Sequence, residues 1–243
     1  MVVNKEHTGV ENLLDQLFKL GNSVAASHAQ RFFKTGPGEY GEGDKFIGVR
    51  VPVLRSLAKA NLEISKVELK KLLTGEWHEA RLLALLILVY RMQKFKGNPV
   101  GQQEVVNYYL ANLHFINNWD LVDCSARDIL GKFALNSSEY QAHLDKLVLS
   151  SSLWERRIAM VATWAFIQDR KIDLTLKFAK ILLPDKHDLI HKAVGWMLRE
   201  AAKVDQQSVV NFLQTHKAVI PRTTLRYAIE RFDNALKADL MSK

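Results

Sequence analysis

One cysteine, Cys124, in 243 residues excludes an internal disulfide and any zinc cluster built on cysteine. Proline occurs 5 times and glycine 12 times, too few turn formers for a meander of many short strands. The residues that replace them are rich in Leu, Ala and Lys, which favour helix, and the expected class is all-α. Long apolar runs are missing as well. The longest, Leu82 to Tyr90, lies between Arg81 and Arg91 and falls far below the roughly 20 residues a bilayer crossing needs. Met1 to Glu11 mixes Lys5, Glu6 and His7 with no apolar stretch, so no export signal is expected and the expected location is cytoplasmic. An apolar fraction of 48% with 25% charged residues excludes wholesale disorder.

What the chain has in excess is positive charge. Thirty-four Lys and Arg against 26 Asp and Glu give +8 and a pI near 9.5. Such a balance attracts polyanions, nucleic acid first among them in a cytoplasm. The same excess also serves solubility, so charge opens the nucleic-acid reading without establishing it.

Apolar residues recur at spacings of three and four through Leu13–Leu20, Val53–Leu62, Val67–Leu73, Arg81–Met92, Glu104–Leu113, Trp119–Phe133, Tyr140–Leu149, Trp154–Phe166, Leu174–Leu182, His187–Lys203, Gln207–Leu213 and Arg222–Leu236. Each predicts an amphipathic helix that buries one face. Trp77, Trp119 and Trp154 open long helices at intervals of 42 and 35 residues, the period of two-helix repeats of the HEAT or armadillo kind. The expected architecture is therefore an α-solenoid, a single curved domain over residues 1–243, with N-terminal helices in 8–62 interrupted by a loop at 35–44. Arg81, Arg157, Lys192 and Arg199 lie near the starts of such helices or along them. On a concave wall they would form a basic groove suited to a phosphate backbone; alternatively they bridge neighbouring repeats.

Few constellations suggest chemistry. The segment Thr35 to Asp44 holds four glycines and formally contains Gly36-x-Gly38-x-x-Gly41. No strand precedes it, Pro37 interrupts it, and Glu39, Glu42 and Asp44 would repel a pyrophosphate, so dinucleotide binding is dismissed. His187 and His191 stand one turn apart with Asp188 between them but lack a third ligand, and no metal site is expected. No Gly-x-Ser-x-Gly occurs, and Cys124 has no histidine beside it in sequence, so acyl chemistry has no nucleophile. More informative is Asn117-Asn-Trp-Asp-Leu-Val-Asp123. Asp120 fits a first-turn acid facing the helix dipole. Trp119 and Asp123 are four apart and share a helix face, where an indole beside a carboxylate could receive a cationic substrate; a purely structural role is the alternative.

These residues resemble the AlkD-type DNA alkylation repair glycosylases, a family built from HEAT-like repeats. The similar stretches are Lys45-Phe-Ile-Gly-Val-Arg-Val-Pro52 with Arg55, Asn118-Trp-Asp-Leu-Val-Asp123, Leu153-Trp-Glu-Arg-Arg157 and Lys192-Ala-Val-Gly-Trp-Met-Leu-Arg-Glu200. The resemblance implies removal of cationic N3- or N7-alkylated purines from duplex DNA without flipping the base into a pocket. It places the essential aspartate at Asp123, aromatic walls at Trp119 and Trp196, and the key arginine at Arg157. Lys45, Arg55, Arg81, Lys192 and Arg199 join Arg157 as expected DNA-facing cations. Water can serve as nucleophile and no lysine beside Asp123 in sequence suggests a Schiff base, so a monofunctional enzyme with no metal or organic cofactor is expected; a DNA-facing groove needs no partner, so a monomer is expected. Two departures stand out: Asn118 replaces a second Trp, and Phe32 replaces a Tyr. The loop at 35–44 looks like an insertion. A non-catalytic DNA-binding solenoid and a protein-binding scaffold are the alternatives.

Overall fold

The computed structural model describes residues 9–242; the Met1–Thr8 part of the export reading, and Thr8 at the edge of the N-terminal helices, lie outside them. Two compact units divide the chain, Met1–Ser125 and Ala126–Lys243. The first carries α1 (Val10–Leu20), α2 (Ser23–Phe32), α3 (Val51–Ala60), α4 (Lys66–Leu73), α5 (His78–Lys94), α6 (Pro99–Leu110) and α7 (Trp119–Asp123). The second carries α8 (Lys132–Ala134), α9 (Ser138–Leu147), α10 (Leu153–Ala162), α11 (Trp164–Gln168), α12 (Asp173–Leu182), α13 (Asp188–Ala202), α14 (Gln206–Thr215), α15 (Arg222–Ala228) and α16 (Asn234–Met241). Among the described residues there is no strand, only an isolated parallel bridge between Lys45 and Trp77. No described helix is long and apolar enough to cross a membrane.

The first unit is built around α5. Its apolar run leaves Leu82 through Val89 buried on every side, as expected of a central helix rather than a surface one. Helices α3, α4 and α6 pack on it, and each buried Leu or Ile contributes about 1.5–3 kcal/mol. The start of α5 organises the chain that precedes α3. Glu79, only 4% exposed, accepts backbone N–H bonds from Ile47 (2.9 Å), Gly48 (2.7 Å) and Val49 (3.3 Å). Gly48 adopts φ +87°, and a Cβ there would overlap the Asn22 carbonyl oxygen, so only glycine lets this segment pass beneath α2.

The second unit centres on α13. Ile190, Ala193, Val194, Met197, Leu198 and Ala201 are buried along it. A Cβ at Gly195 would sit 2.6 Å from the Thr224 carbonyl oxygen, so α13 and α15 touch backbone to backbone. The Thr224 hydroxyl then donates to the His191 carbonyl at 3.1 Å, tying the two helices at the same level.

Three expected long helices are broken, two of them beside a hydroxyl that bonds a backbone carbonyl. Trp119–Phe133 ends as α7 at Asp123, where the Ser125 hydroxyl donates to Leu121 O at 2.6 Å. It resumes through a wide turn closed by Gly131 N to Ala126 O (2.9 Å) before α8. Trp154–Phe166 breaks at Thr163, whose hydroxyl takes the Met160 carbonyl at 2.8 Å. Arg222–Leu236 stops at Ala228 and restarts as α16 beneath Asp233, which caps Leu236 N at 2.8 Å. Helix α2 buries no residue, so apolar spacing alone does not announce it.

Two stability outcomes follow. Glu79→Gln keeps the shape but sets an amide against three backbone donors, and urea unfolding should show a loss of about 1–3 kcal/mol. Gly195→Ala should cost about 1–3 kcal/mol by overpacking α13 against α15; an unchanged urea midpoint would show that α15 yields freely.

Candidate nucleic-acid interface

Helix α7 is five residues long and is preceded by Asn118, which is fully buried. The Asn118 side-chain oxygen accepts from Trp119 N at 2.8 Å, capping the helix. Trp119 and Asp123 occupy the two ends of α7, one helical turn apart, and both are half-buried. The indole stacks on Phe33 (centroids 5.1 Å apart, planes at 18°), and Phe32 meets it edge-on at 5.8 Å. Phe33 stacks in turn on Phe46 (5.0 Å), and Phe46 on the His78 ring (4.6 Å). Trp119 is thus the last ring of a ladder running from the start of α5, and its plane is set by packing. Phe32 is 57% exposed and keeps an aromatic edge on Trp119 without a hydroxyl.

Cys124 follows α7 directly. Burial pushes its thiol well above the ordinary value, and the carboxylates of Asp120 and Asp123 push it further. A thiol held protonated is a poor nucleophile.

The loop at 35–44 closes onto the same region. Asp44 Oδ2 accepts from Asn118 Nδ2 at 3.1 Å and lies 3.0 Å from His78 Nδ1. The other ring nitrogen, His78 Nε2, lies 2.7 Å from Asp120 Oδ2. Arg81, expected among the DNA-facing cations, is only 5% exposed, and its guanidinium donates to Asp44 and Asn117. Burial alone would raise the Asp44 carboxyl, but the His78 hydrogen bond and the Arg81 charge outweigh it and hold it below its usual range. Sequence reasoning weighed the loop acids only as a barrier to pyrophosphate and missed Asp44. The available signal was His78 and Arg81, three apart at the start of an apolar helix, where buried cations require anions.

The other two expected DNA-facing cations of the first unit, Lys45 and Arg55, are solvated. Lys45 pairs with Glu76 at 2.6 Å with both side chains more than half exposed, which contributes little to stability. Arg50, Arg55 and Lys59 are exposed on or beside α3.

In the second unit, Arg157 is 5% exposed and donates to the Leu189 carbonyl, tying α10 to the start of α13. Lys192, Trp196 and Arg199 follow on α13 at intervals of four and three, which puts them on one face. Lys192 pairs with Asp188 at 2.7 Å, and Arg199 pairs with Glu230. Trp196 meets Trp164 edge-on at 5.2 Å, and the Arg127 guanidinium lies 4.4 Å above the Trp164 ring. Trp164 was not anticipated as part of this group, because its position depends on the break at Thr163. His187 Nδ1 accepts from Leu189 N at 3.2 Å and caps α13, while the His191 ring bonds the Asp185 carbonyl. No group of three or more His, Cys, Asp or Glu among the described residues could hold a metal ion.

Comparison with known proteins places this geometry in a family. The profile of the DNA alkylation repair enzyme family matches residues 13–232. A solved structure described as a predicted DNA alkylation repair enzyme from Enterococcus faecalis superposes with a TM-score of 0.68 at 20% identity, covering 88% of this chain and 97% of that one. A search of curated proteins gave no match. With more than half its length matched, the chain belongs to the DNA alkylation repair enzyme family.

Proposed function

We propose that this protein is a monofunctional DNA N-glycosylase that releases N3- and N7-alkylated purines from duplex DNA, acting as a monomer and without drawing the base into a pocket. The observation that carries it is the pairing of Trp119 with Asp123 on α7 in a family member with a net charge of +8. A carboxylate that faces DNA is electrostatically unfavourable unless positive charge develops beside it. An alkylated purine is already cationic, and its departure leaves an oxocarbenium-like sugar. Asp123 stabilises that charge and orients the attacking water, and Trp119 offers its π face to the deoxyribose; in the second unit, Trp196 offers an aromatic face to DNA. Arg157, fixed to α13 through Leu189, supplies a rigid positive charge for phosphate. Lys192, Arg199, Lys45 and Arg55 take backbone phosphates. Arg81, turned inward to Asp44, acts on the loop rather than on DNA.

The leaving group is activated by its own charge, so the mechanism requires neither a metal nor an organic cofactor. Water as nucleophile requires no Schiff base, and borohydride should trap no covalent complex with abasic DNA. We further read the packed helices of each unit as HEAT-like repeats, in which paired helices bury a face that neither could bury alone.

Release of free methylated bases from methylating-agent-treated duplex tests the proposal. Asp123→Asn should bind this DNA as the wild type does but release bases about 100-fold more slowly or worse. Binding by both proteins with release by neither would make this a non-catalytic DNA-binding protein. Affinity should fall steeply with salt, and Lys192→Ala should reduce the slope of log K against log salt by about one.

A further inference from the structure

We propose that His78 is a positioning residue for base release: as an imidazolium clamped between Asp44 and Asp120, it fastens the loop 35–44 over α7 and so fixes Trp119 and Asp123. This rests on the glycosylase reading above only for its catalytic consequence; the clamp itself stands on geometry.

A five-residue helix cannot sustain itself, because nucleation costs more than so few internal hydrogen bonds return. α7 is therefore held from outside, and two of its ties fall on its first turn. Asn118, the cap, is bonded to Asp44 at 3.1 Å. Asp120, immediately after Trp119, bonds His78 at 2.7 Å while its other oxygen accepts from Leu121 N at 2.8 Å. His78 is anchored in turn: its backbone N donates to the Lys45 carbonyl at 2.8 Å, and its ring stacks on Phe46.

The loop is built to reach this point. Glu39 and Glu42 accept from Gly36 N and Gly38 N, both at 2.9 Å. Gly41 N donates to Lys34 O at 3.1 Å, and a Cβ at Gly41 would overlap the Phe33 carbonyl. Asp44 is thus delivered to His78 by a cinched turn rather than by a free strand.

The ring is 2% exposed and has a carboxylate at each nitrogen. A neutral imidazole donates once, so one carboxylate would face a lone pair; only the imidazolium satisfies both. The charged groups around it are Asp44 from the loop, Asp120 from α7, Arg81 on its own helix, bound to Asp44, and Glu79, engaged by the amides of residues 47–49. Burial alone would lower the His78 pKa, but the two hydrogen bonds and two negative charges outweigh it and raise it from 6.5 to about 9. The raised value fixes the sign: the clamp's contribution is complete below about pH 6.5 and is lost as pH rises through about 9.

The test pairs a titration with kinetics. In wild-type protein the His78 ring resonances should titrate near pH 9, and Asp44→Asn should lower that midpoint by about one unit or more. In His78→Gln, amide exchange across residues 36–44 and 119–124 should accelerate at least about tenfold at pH 7 while residues 83–88 in α5 keep their protection. Single-turnover base release should slow with affinity for undamaged duplex unchanged. The wild-type decline in rate above pH 9 should be absent in the variant. Titration of His78 near its ordinary value, or a His78→Gln enzyme with the wild-type rate and pH profile, would overturn the proposal. If His78→Gln does not fold, Asp44→Asn carries the exchange and kinetic arms, since it removes the loop's hold and leaves the ring in place. Should the wild type release no base, the glycosylase reading fails, while titration and exchange still decide the clamp.

Discussion

Charge cannot be buried unpaired, and the first turn of α5 buries three charged side chains together. His78, Glu79 and Arg81 are 2%, 4% and 5% exposed. An uncompensated ion in such a place costs several kcal/mol, so the surrounding chain must come to it. Glu79 takes the amides of residues 47–49, Arg81 takes Asp44 and Asn117, and His78 takes Asp44 and Asp120. One turn of helix thereby fixes the entry to α3, the end of the loop and the start of α7. These pairs add little net stability over an apolar core of the same volume. What they supply is an arrangement in which each of these buried charges meets a partner.

The second unit meets the same constraint. Its buried arginine, Arg157, donates to the Leu189 carbonyl at the start of α13. Arg156, beside it, pairs with Asp185 at 2.7 Å and with the carbonyls of Ser150 and Ser151, locking the turn before α10 to the turn before α13. The polar side of α13 carries Asp188, His191, Lys192, Trp196, Arg199 and Glu200, while Ile190, Ala193, Val194, Met197, Leu198 and Ala201 are buried. A helix so divided is held by its apolar sides and can spend the other on recognition.

Periodicity made the all-helical class and most helix positions legible, because apolar spacing reports burial directly. It was silent where burial was absent, at α2, and misled where helices ended in mid-pattern. Ser125 and Thr163 carry no hydrophobic signature, yet their hydroxyls take backbone carbonyls and end α7 and α10. Trp119 and Asp123 were legible as neighbours because four residues of helix bring them together whatever the rest does. Asp44 was not: its partners His78, Arg81 and Asn118 lie 34, 37 and 74 residues away, and no local pattern encodes such contacts. Asn118 takes its meaning from the same loop, since this buried asparagine both caps α7 and donates to Asp44, and an indole in its place would lose both bonds.

On the proposed function, Asp123 is a carboxylate that works while facing a polyanion, and that carries a conflict. The potential that DNA imposes favours a protonated or withdrawn Asp123, whereas stabilising a sugar cation requires it charged and in place before the bond breaks. Rigidity resolves this at the proposed site. Trp119 is held by a ladder of stacked rings and α7 by ties from α5 and the loop, so the cost of placing the carboxylate is met in folding rather than at the moment of reaction. On this view the long-range charge network and the chemistry are one design: the buried cations of α5 exist to hold a helix too short to hold itself.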